Sequence, residues 1–560
     1  MVKLWNETTH STSHPVMTAE GSASRQRLAP VLGAPEEQIN PLGRHVTLLS
    51  AIMLNIGQMM GFVFRMLTPT GNYPWLIKNA QRRSGIYAVP GVMLNSVGSI
   101  GLLLVYWIVA PFFAFAGLSL YTEFASLFPR RSGGEVAYLE QAYPHPRFLV
   151  STAFAATAIL MSFSATNAII FSQYLLSALD IPISNRNQTL VAISVVFITS
   201  GGVALSTKWS LRAVNALTVV KMASMSFMAI TGVFVLLGLT PVRNPYDNFL
   251  HPFKGSTWNL NSHAVAFIKS NHSFIGWHNA FYLVGEIKDK NPIYTARKSG
   301  RLALFLVAIL FLLVNVAYVA AVPYEELKAS GSLVAVKFFH NVYGSRSARF
   351  LPLLVSMSCF GNMARVIREV ARQGLLPYPT FFASTKPFGT PIGPIGLRGT
   401  LTMLVILVLP AQDAFNFMVD LASYPTMFFQ TMLSLGIWKI RSKMRSSGIS
   451  PSPFQARNGI IIVYLTSCIL LLLLPWVPPP PGHADVSFWY ATYCVVGIAL
   501  LLVCGLYYWT WIVFLPRLGG YEIVEEVERG ADGAQNTKLV RRYNAQNQHD
   551  ETQSLLRTTA

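Results

Sequence analysis

The sequence predicts an all-α membrane protein of twelve transmembrane helices, and three observations carry that prediction. Its 560 residues are 52% hydrophobic and only 12% charged, where ordinary soluble domains carry roughly 25% charged residues. Apolar runs of about the 20 residues that a bilayer core demands recur along nearly the whole chain. Two of these runs are interrupted by glycine-bearing text, which a bilayer tolerates only where the loosened backbone lines a cavity or meets a ligand.

The runs follow one another in a regular series. The first is Val46–Gly61, resumed at Gly85–Val97 after a polar stretch, and the second is Ile100–Phe128. Phe148–Leu179 is rich in small polar residues (Ser151, Thr152, Thr157, Ser162, Ser164, Thr166, Asn167 and Ser172), which let helices approach closely and read as packing positions. Thr189–Leu205 and Leu211–Leu239 come next, the latter with Met222, Met225 and Met228 as flexible core filler. His263–Ile287 is the sixth run and contains the second glycine interruption, and Leu302–Val322 is the seventh. Leu351–Val366, Ile395–Pro410, Phe415–Ile437, Ile460–Trp476 and Val486–Phe514 complete the twelve. A Pro-rich turn, Pro475–Pro481, forms a rigid cap between the last two.

The net charge of +19 sits in short clusters between apolar runs rather than in one patch, which argues against a nucleic-acid surface. Loops after even-numbered spans hold Arg130, Arg131, Arg147, Lys208, Lys288, Lys290, Arg297, Lys298 and Arg301, with Arg372, Lys386, Arg398 and the run Lys439, Arg441, Lys443, Arg445 further on. Opposite loops are poorer, with Arg186, Arg243, Lys254, Lys269, Lys328, Lys337, Arg346 and Arg349. By the positive-inside rule both termini are cytoplasmic. The expected organisation is a polar, disordered N-terminal tail over 1–44, a membrane domain over 45–515, and a C-terminal tail over 516–560. That tail is acidic at Glu522, Glu525, Glu526 and Glu528 and expected to be disordered. Four cysteines, Cys359, Cys468, Cys494 and Cys504, all lie in apolar text and read as small buried side chains, with no metal or other cofactor implied.

The glycine interruptions carry the functional reading. The first reads Met60-Gly61 on one side and Ser84-Gly85-Ile86-Tyr87-Ala88-Val89-Pro90-Gly91 on the other, and the second spans Ser273 to Ile287 around Gly276 and Trp277. Broken helices in positions one and six of a repeated five-helix unit are how an inverted-repeat transporter fold builds a site at the middle of the membrane. Free N–H groups in the first break suit a carboxylate, and free carbonyls in the second suit an ammonium, so the pair suits a zwitterionic amino acid. The candidate substrate-binding residues are Gly61, Ser84, Gly85 and Ile86 for the carboxylate and Phe274, Ile275 and Gly276 for the amine. Phe274 and Trp277 would flank an apolar substrate side chain. The alternative is that Gly276 is a close-packing glycine and Trp277 an interfacial anchor. The spans hold no HExxH motif and no paired aspartates, so an enzyme is not indicated.

Several motifs resemble amino acid permeases of the amino acid–polyamine–organocation superfamily, in the fungal high-affinity methionine permease-like branch. They are Gly61 and Ser84-Gly85-Ile86-Tyr87 with Pro90-Gly91, Tyr121-Thr122-Glu123 through Gly133-Gly134-Glu135, Gly201-Gly202-Val203 through Trp209, and Asn215 to Lys221. Gly276-Trp277-His278-Asn279-Ala280-Phe281-Tyr282 with Gly285-Glu286-Ile287, and Ala371-Arg372-Gln373-Gly374, also match. The resemblance spans nearly all of Leu48–Leu515. It implies import of a neutral amino acid, methionine first, by alternating access coupled to protons across the plasma membrane. It also implies a gating role for Glu123. Lys221 is a basic residue deep in an apolar run, a functional-site hypothesis by default, and proton-coupled members of the superfamily place a lysine at the matching position. The alternative is a lysine that snorkels from a helix end. A broader amino acid or polyamine carrier, or a sensor that binds without transporting, remains open.

Two departures from the resemblance stand out. Relatives run directly from the first glycine to the Ser-Gly-Ile text, so Phe62–Arg83, with Arg65, Lys78, Arg82, Arg83, Pro69 and Pro74, reads as a retained intron or mispredicted exon, the alternative being a genuine extracellular-side loop that leaves a helix at mid-bilayer. The text between Gly361-Asn362 and Arg365 is shorter than in relatives and leaves the eighth span short. Both fall in helices that carry the expected function.

Overall fold

A bilayer offers no water to a backbone N–H, so a spanning chain has to pair its own groups, and helices do so segment by segment. The computed structural model describes residues 46–59, 85–128, 134–161, 165–205, 207–348, 381, 392–480, 486–529 and 535–543. The N-terminal tail, the 62–83 stretch with Gly61 and Ser84, the eighth span and Cys359 lie outside the described residues.

The first helices are α1 (Leu48–Met59), α2 (Gly85–Val97), α3 (Ile100–Leu127), α4 (Glu135–Ala142), α5 (Leu149–Leu160), α6 (Ala165–Ala178), α7 (Asn185–Leu205) and α8 (Thr207–Leu236). Then come α9 (Leu260–Phe274), a 3-10 segment (Asn279–Glu286), α10 (Pro292–Ala321), α11 (Tyr324–Ala329), α12 (Val334–Ala348), α13 (Ile392–Val408), α14 (Ala411–Ser446), α15 (Asn458–Leu473) and α16 (Thr492–Tyr508). Among the described residues, five helical stretches are long and apolar enough to cross a membrane: Ile100–Leu127, Leu149–Ala178, Pro292–Ala321, Asn458–Trp476 and Thr492–Gly519.

Lipid is as apolar as leucine, so helices associate there through close packing rather than through escape from water. Small residues stand at the crossings. α8 meets α10 at Gly232, where a Cβ would lie 2.2 Å from the Ala317 Cβ, and α14 meets α4 at Gly436, 2.6 Å from the Ala142 Cβ. α16 meets α14 at Gly497, with the Tyr424 ring 2.8 Å away. Around these crossings α10 packs on α1, α3 and α8, while α14 packs on α4, α6, α15 and α16.

One end of the bundle is closed by backbone contacts and neutral side-chain hydrogen bonds. Gly98 (φ 71°) turns α2 into α3, and Gly255 (φ 81°) brings the 251–257 loop so near that a Cβ on Gly98 would lie 2.3 Å from the Gly255 carbonyl oxygen. The Thr257 N–H donates to the Val97 carbonyl (3.1 Å), the Gly101 N–H to that of Pro252 (2.6 Å), and the Tyr324 hydroxyl to that of Gly98 (2.7 Å). The side-chain amides of Asn259 and Asn261 reach the carbonyls of Pro478 and Pro475 (3.1 and 3.2 Å), so the Pro-rich turn is tied down at this end.

Two expectations are corrected. The tail after Gly520 is not uniformly disordered: Tyr521–Arg529 and Gln535–Tyr543 form an antiparallel hairpin. Its register sets Glu522 opposite Arg542 and Glu526 opposite Lys538, opposite charges of the kind that support cross-strand pairs. The tenth apolar run does not give way to a charged loop at Ile437, because α14 continues as helix to Ser446 and carries Arg441 inward. The helix is extended by that residue's partners, described below.

Gly232→Val is expected to force α8 and α10 apart and lower stability by about 1–3 kcal/mol, the usual range for overpacking. Gly505→Val, where nothing lies within 4 Å, should leave the thermal midpoint of the purified protein unchanged.

Candidate functional site

The glycine interruption expected in the sixth run is present as a change of backbone. α9 ends at Phe274, Ile275 is extended (φ −65°, ψ 132°), Gly276 takes φ 133°, and the chain resumes as a 3-10 segment at Asn279. At φ 133° an L side chain is strained, so the position calls for glycine.

Two antiparallel pairings bring this break level with the one in the first run. α2 and α9 pack together, and the Thr257–Val97 bond puts the end of α2 beside the start of α9. At 1.5 Å per residue both helices are roughly 20 Å long, so the Gly85 end of α2 lies beside the Phe274 end of α9. On the other side, the Lys288 N–H donates to the Val46 carbonyl (2.9 Å), and nine residues along α1 Asn55 accepts from the Ala280 N–H (3.1 Å). α1 and the 3-10 segment therefore run side by side, and the Met59 end of α1 approaches the Gly276 break.

Asn55 is fully buried. Its carbonyl oxygen substitutes for the helical partner that Ala280 lacks, and its amide nitrogen lies 3.5 Å from the Ser299 hydroxyl of α10. Gly85, Ile86, Tyr87 and Ala88 form the first described turn of α2, with their N–H groups directed toward the start of the helix. They carry the positive end of its dipole. Opposite them are the last carbonyls of α9, the negative end of a second dipole. The Tyr87 hydroxyl bonds Ser224 of α8 (2.8 Å), and the Tyr174 hydroxyl donates to the Tyr87 carbonyl (2.9 Å).

Aromatic rings wall the break. Phe274 is fully buried against Trp107 and Phe311, with ring centroids 5.9 and 5.3 Å away. Trp277 points the other way, edge-on to Tyr121 at 4.9 Å and over Gly117, where a Cβ would lie 2.6 Å from the indole. Beneath it runs a polar chain: Tyr464 donates to the Gln430 carbonyl oxygen (3.2 Å), the Gln430 amide to the Tyr121 hydroxyl (2.7 Å), and that hydroxyl to Glu135 (2.7 Å). The His278 Nε2 stands 3.9 Å from the same carboxylate.

The far end of α3 is fastened by charge. Glu123 takes a bidentate contact from Arg441, Nε to Oε1 at 2.7 Å and Nη2 to Oε2 at 2.6 Å, and accepts the Ala456 N–H at 2.8 Å. Arg441 also donates to the Ala456 carbonyl (2.6 Å) and to Asn458, which caps this knot of α3, α14 and the start of α15. Glu123 is 1% exposed and lies inside this knot.

A family model described as amino acid permease matches residues 47–501. The chain belongs to the amino acid permease family. The high-affinity methionine permease of Saccharomyces cerevisiae is 31% identical over 482 residues, covering 84% of this chain and 83% of that protein. The low-affinity methionine permease of the same yeast is 28% identical over 521 residues, covering 90% and 88%. The human large neutral amino acids transporter small subunit 2 is 26% identical over 435 residues, 75% of each chain. The permease is an integral membrane protein of a transporter family, not an enzyme.

Of the residues expected to form the site, the structure brings Gly85 and Ile86 to the level of Phe274, Ile275, Gly276 and Trp277. Gly61 and Ser84 lie outside the described residues. Lys221 lies on α8, one turn before Ser224, so its position shares the helix face that holds Tyr87; its side chain lies outside the described residues. The permease also holds groups that the sequence reading passed over: Asn55, the Glu135 chain, and Lys269 of α9, counted above among loop charges. Lys269 is instead fully buried and paired with Asp420 of α14 at 3.3 Å. A lone lysine and a lone aspartate inside apolar runs were the signal available for that pair.

Asn55→Leu is expected to strand the Ala280 N–H and lower stability by about 1–3 kcal/mol. Removing one partner of the knot, as in Arg441→Met, should cost about 3–5 kcal/mol because Glu123 is left buried and unpaired. Thermal unfolding of the purified variants in detergent checks both.

Proposed function

We propose that the permease imports a neutral amino acid, methionine first, together with a proton, by alternating access to a site between the two helix breaks. The observation that carries this reading is the convergence of the α2 start and the α9 end at one level, opposite dipole ends a short distance apart. A zwitterion satisfies both at once: its carboxylate takes the N–H groups of Gly85 and Ile86, and its ammonium takes carbonyls at Ile275 and Gly276. Phe274 and Trp277 flank its apolar side chain. The two yeast relatives are methionine permeases by name, which supports the choice of substrate.

Lys221 carries the coupling proton in this reading, and the Tyr87–Ser224 bond supports it by holding the face of position 221 against the first residues of α2. Substrate on α2 and charge on α8 thereby influence each other across a single hydrogen bond. Glu123 serves as a gate: the knot with Arg441 and Ala456 closes one end of α3 and has to open for passage there. The tails face the cytoplasm and the plasma membrane is the site of action. Gly61 completes the carboxylate cradle only when the 62–83 stretch does not stand between it and Gly85.

Uptake of labelled methionine by cells lacking their own carrier, at external pH 5 and 7.5, tests the reading for the chain as written and for one lacking 62–83. Uptake should rise at the lower pH by about tenfold or less per unit, as for one coupled proton, and should be greater without 62–83. Lys221→Met should reduce the pH dependence. Methionine binding without uptake in both chains would instead identify a sensor.

A further inference from the structure

α9 is joined to α14 by two polar rungs set in apolar surroundings. The Lys269 ammonium lies 3.3 Å from Asp420 Oδ2, with both side chains at most 3% exposed. One turn along, the His272 imidazole meets the Ser423 hydroxyl at 3.4 Å. Positions 269 and 272, and likewise 420 and 423, are three apart and share a helix face, so the rungs form one seam over the last turn and a half of α9 before the Gly276 break.

Stability does not account for such a seam. A buried ion pair is often no better than well-packed apolar residues of similar size, and replacing one commonly gains about 1–4 kcal/mol. Intramembrane charges are correspondingly rare and mark function. This pair joins the segment that ends at the candidate site to the long helix α14, whose other end holds Arg441 and the knot with Glu123.

Among the described residues, the charged groups further along α14 lie well apart from the pair. Asp413 is roughly 10 Å and Arg441 roughly 30 Å away from Asp420 along α14 at helical rise. Glu135 and Glu140 belong to α4, which meets α14 at Gly436. Other titratable groups lie nearer the seam. They are His272 on α9, Tyr424 on α14, Cys494 and Tyr493 on α16 with Cys494 in electrostatic reach of Asp420, and Cys468 and Tyr464 on α15. On the remaining packed elements they are Tyr106 of α3, bonded to His263 of α9 at 2.7 Å, Tyr87 of α2, Tyr318 of α10 and Tyr174 of α6.

We infer that Lys269 and Asp420 form a proton-binding site that controls the separation of α9 from α14. A proton arriving on the Asp420 carboxylate removes the attraction for Lys269, so proton binding and opening of the seam favour one another by linkage. The ammonium left behind is then driven toward water, and α9 swings with it, moving the Ile275–Gly276 carbonyls. Loss of the proton re-forms the pair and closes the seam. This inference rests on the proton-coupled transport reading above but is separate from Lys221, which lies on another helix.

The full chain in liposomes decides it, as the parent, as Asp420→Glu, and as the double variant Lys269→Met with Asp420→Leu. The parent, taken as the chain without 62–83 if the chain as written is silent, should accumulate labelled methionine when the outer pH is the lower; silence in both overturns the transport reading itself. In the double variant, exchange of external for internal methionine should stay within about threefold of the parent while gradient-driven accumulation falls by about tenfold or more. Asp420→Glu, which keeps the charge and the fold, should move the pH of half-maximal uptake by about half a unit or more. With an active parent, an unmoved pH profile in Asp420→Glu overturns the inference and leaves the transport reading standing. Equal retention or equal loss of exchange and accumulation in a folded double variant does the same.

Discussion

A helix that stops inside a bilayer has to find other partners for its backbone, and the Asn55 to Ala280 hydrogen bond is where this chain finds one. That bond, with the Lys288 to Val46 contact below it, fixes α1 alongside the 3-10 segment. Once these two halves are paired, the other two halves, α2 and α9, are left to pair with each other, and their ends define a single level in the bundle. α10 seals the arrangement, since it packs on α1 and supplies Ser299 to the same asparagine. The location of the site is thus a consequence of backbone satisfaction, with the aromatic walls added around it.

The two ends of the bundle are closed by different physics. At Gly98 and Gly255 the chain closes by main-chain hydrogen bonds and close approach of two glycines, with no net charge involved. At Glu123 it closes by a bidentate ion pair reinforced by a backbone N–H. Neutral bonds of the first kind are each worth about 0.5–1.5 kcal/mol net, and charge-assisted bonds about 1.5–3. An end fastened mainly through one arginine opens as a unit, because losing that residue's position releases three elements together. The other end has to give way bond by bond.

The helices were legible because apolar runs of bilayer length have few alternatives, and the Gly276 break because glycine in such a run has a physical reason to be there. The partners were not legible. Lys269 and Asp420 are 151 residues apart, and nothing local in either segment names the other. Arg441 sits in a basic run that reads as a cytoplasmic loop, and only the presence of Glu123 and Asn458 beside it turns that text into buried helix. The links from Tyr464 through Gln430 and Tyr121 to Glu135 join α15, α14, α3 and α4, an arrangement that periodicity cannot express. In the tail, an acidic composition concealed the alternation that pairs Tyr521–Arg529 with the basic strand after it.

Burial of the Glu123–Arg441 knot has a consequence for the environment in which such a protein works. Mobile ions screen charges that face water over about 8–10 Å at ordinary ionic strength, but they do not enter a contact from which solvent is absent. With Glu123 and Arg441 at 1% and 9% exposure, the strength of this closure is set by the geometry of the contact and the local dielectric far more than by dissolved salt. A cell passing from dilute to concentrated medium would carry this fastening through with little change, even as its exposed charges were screened.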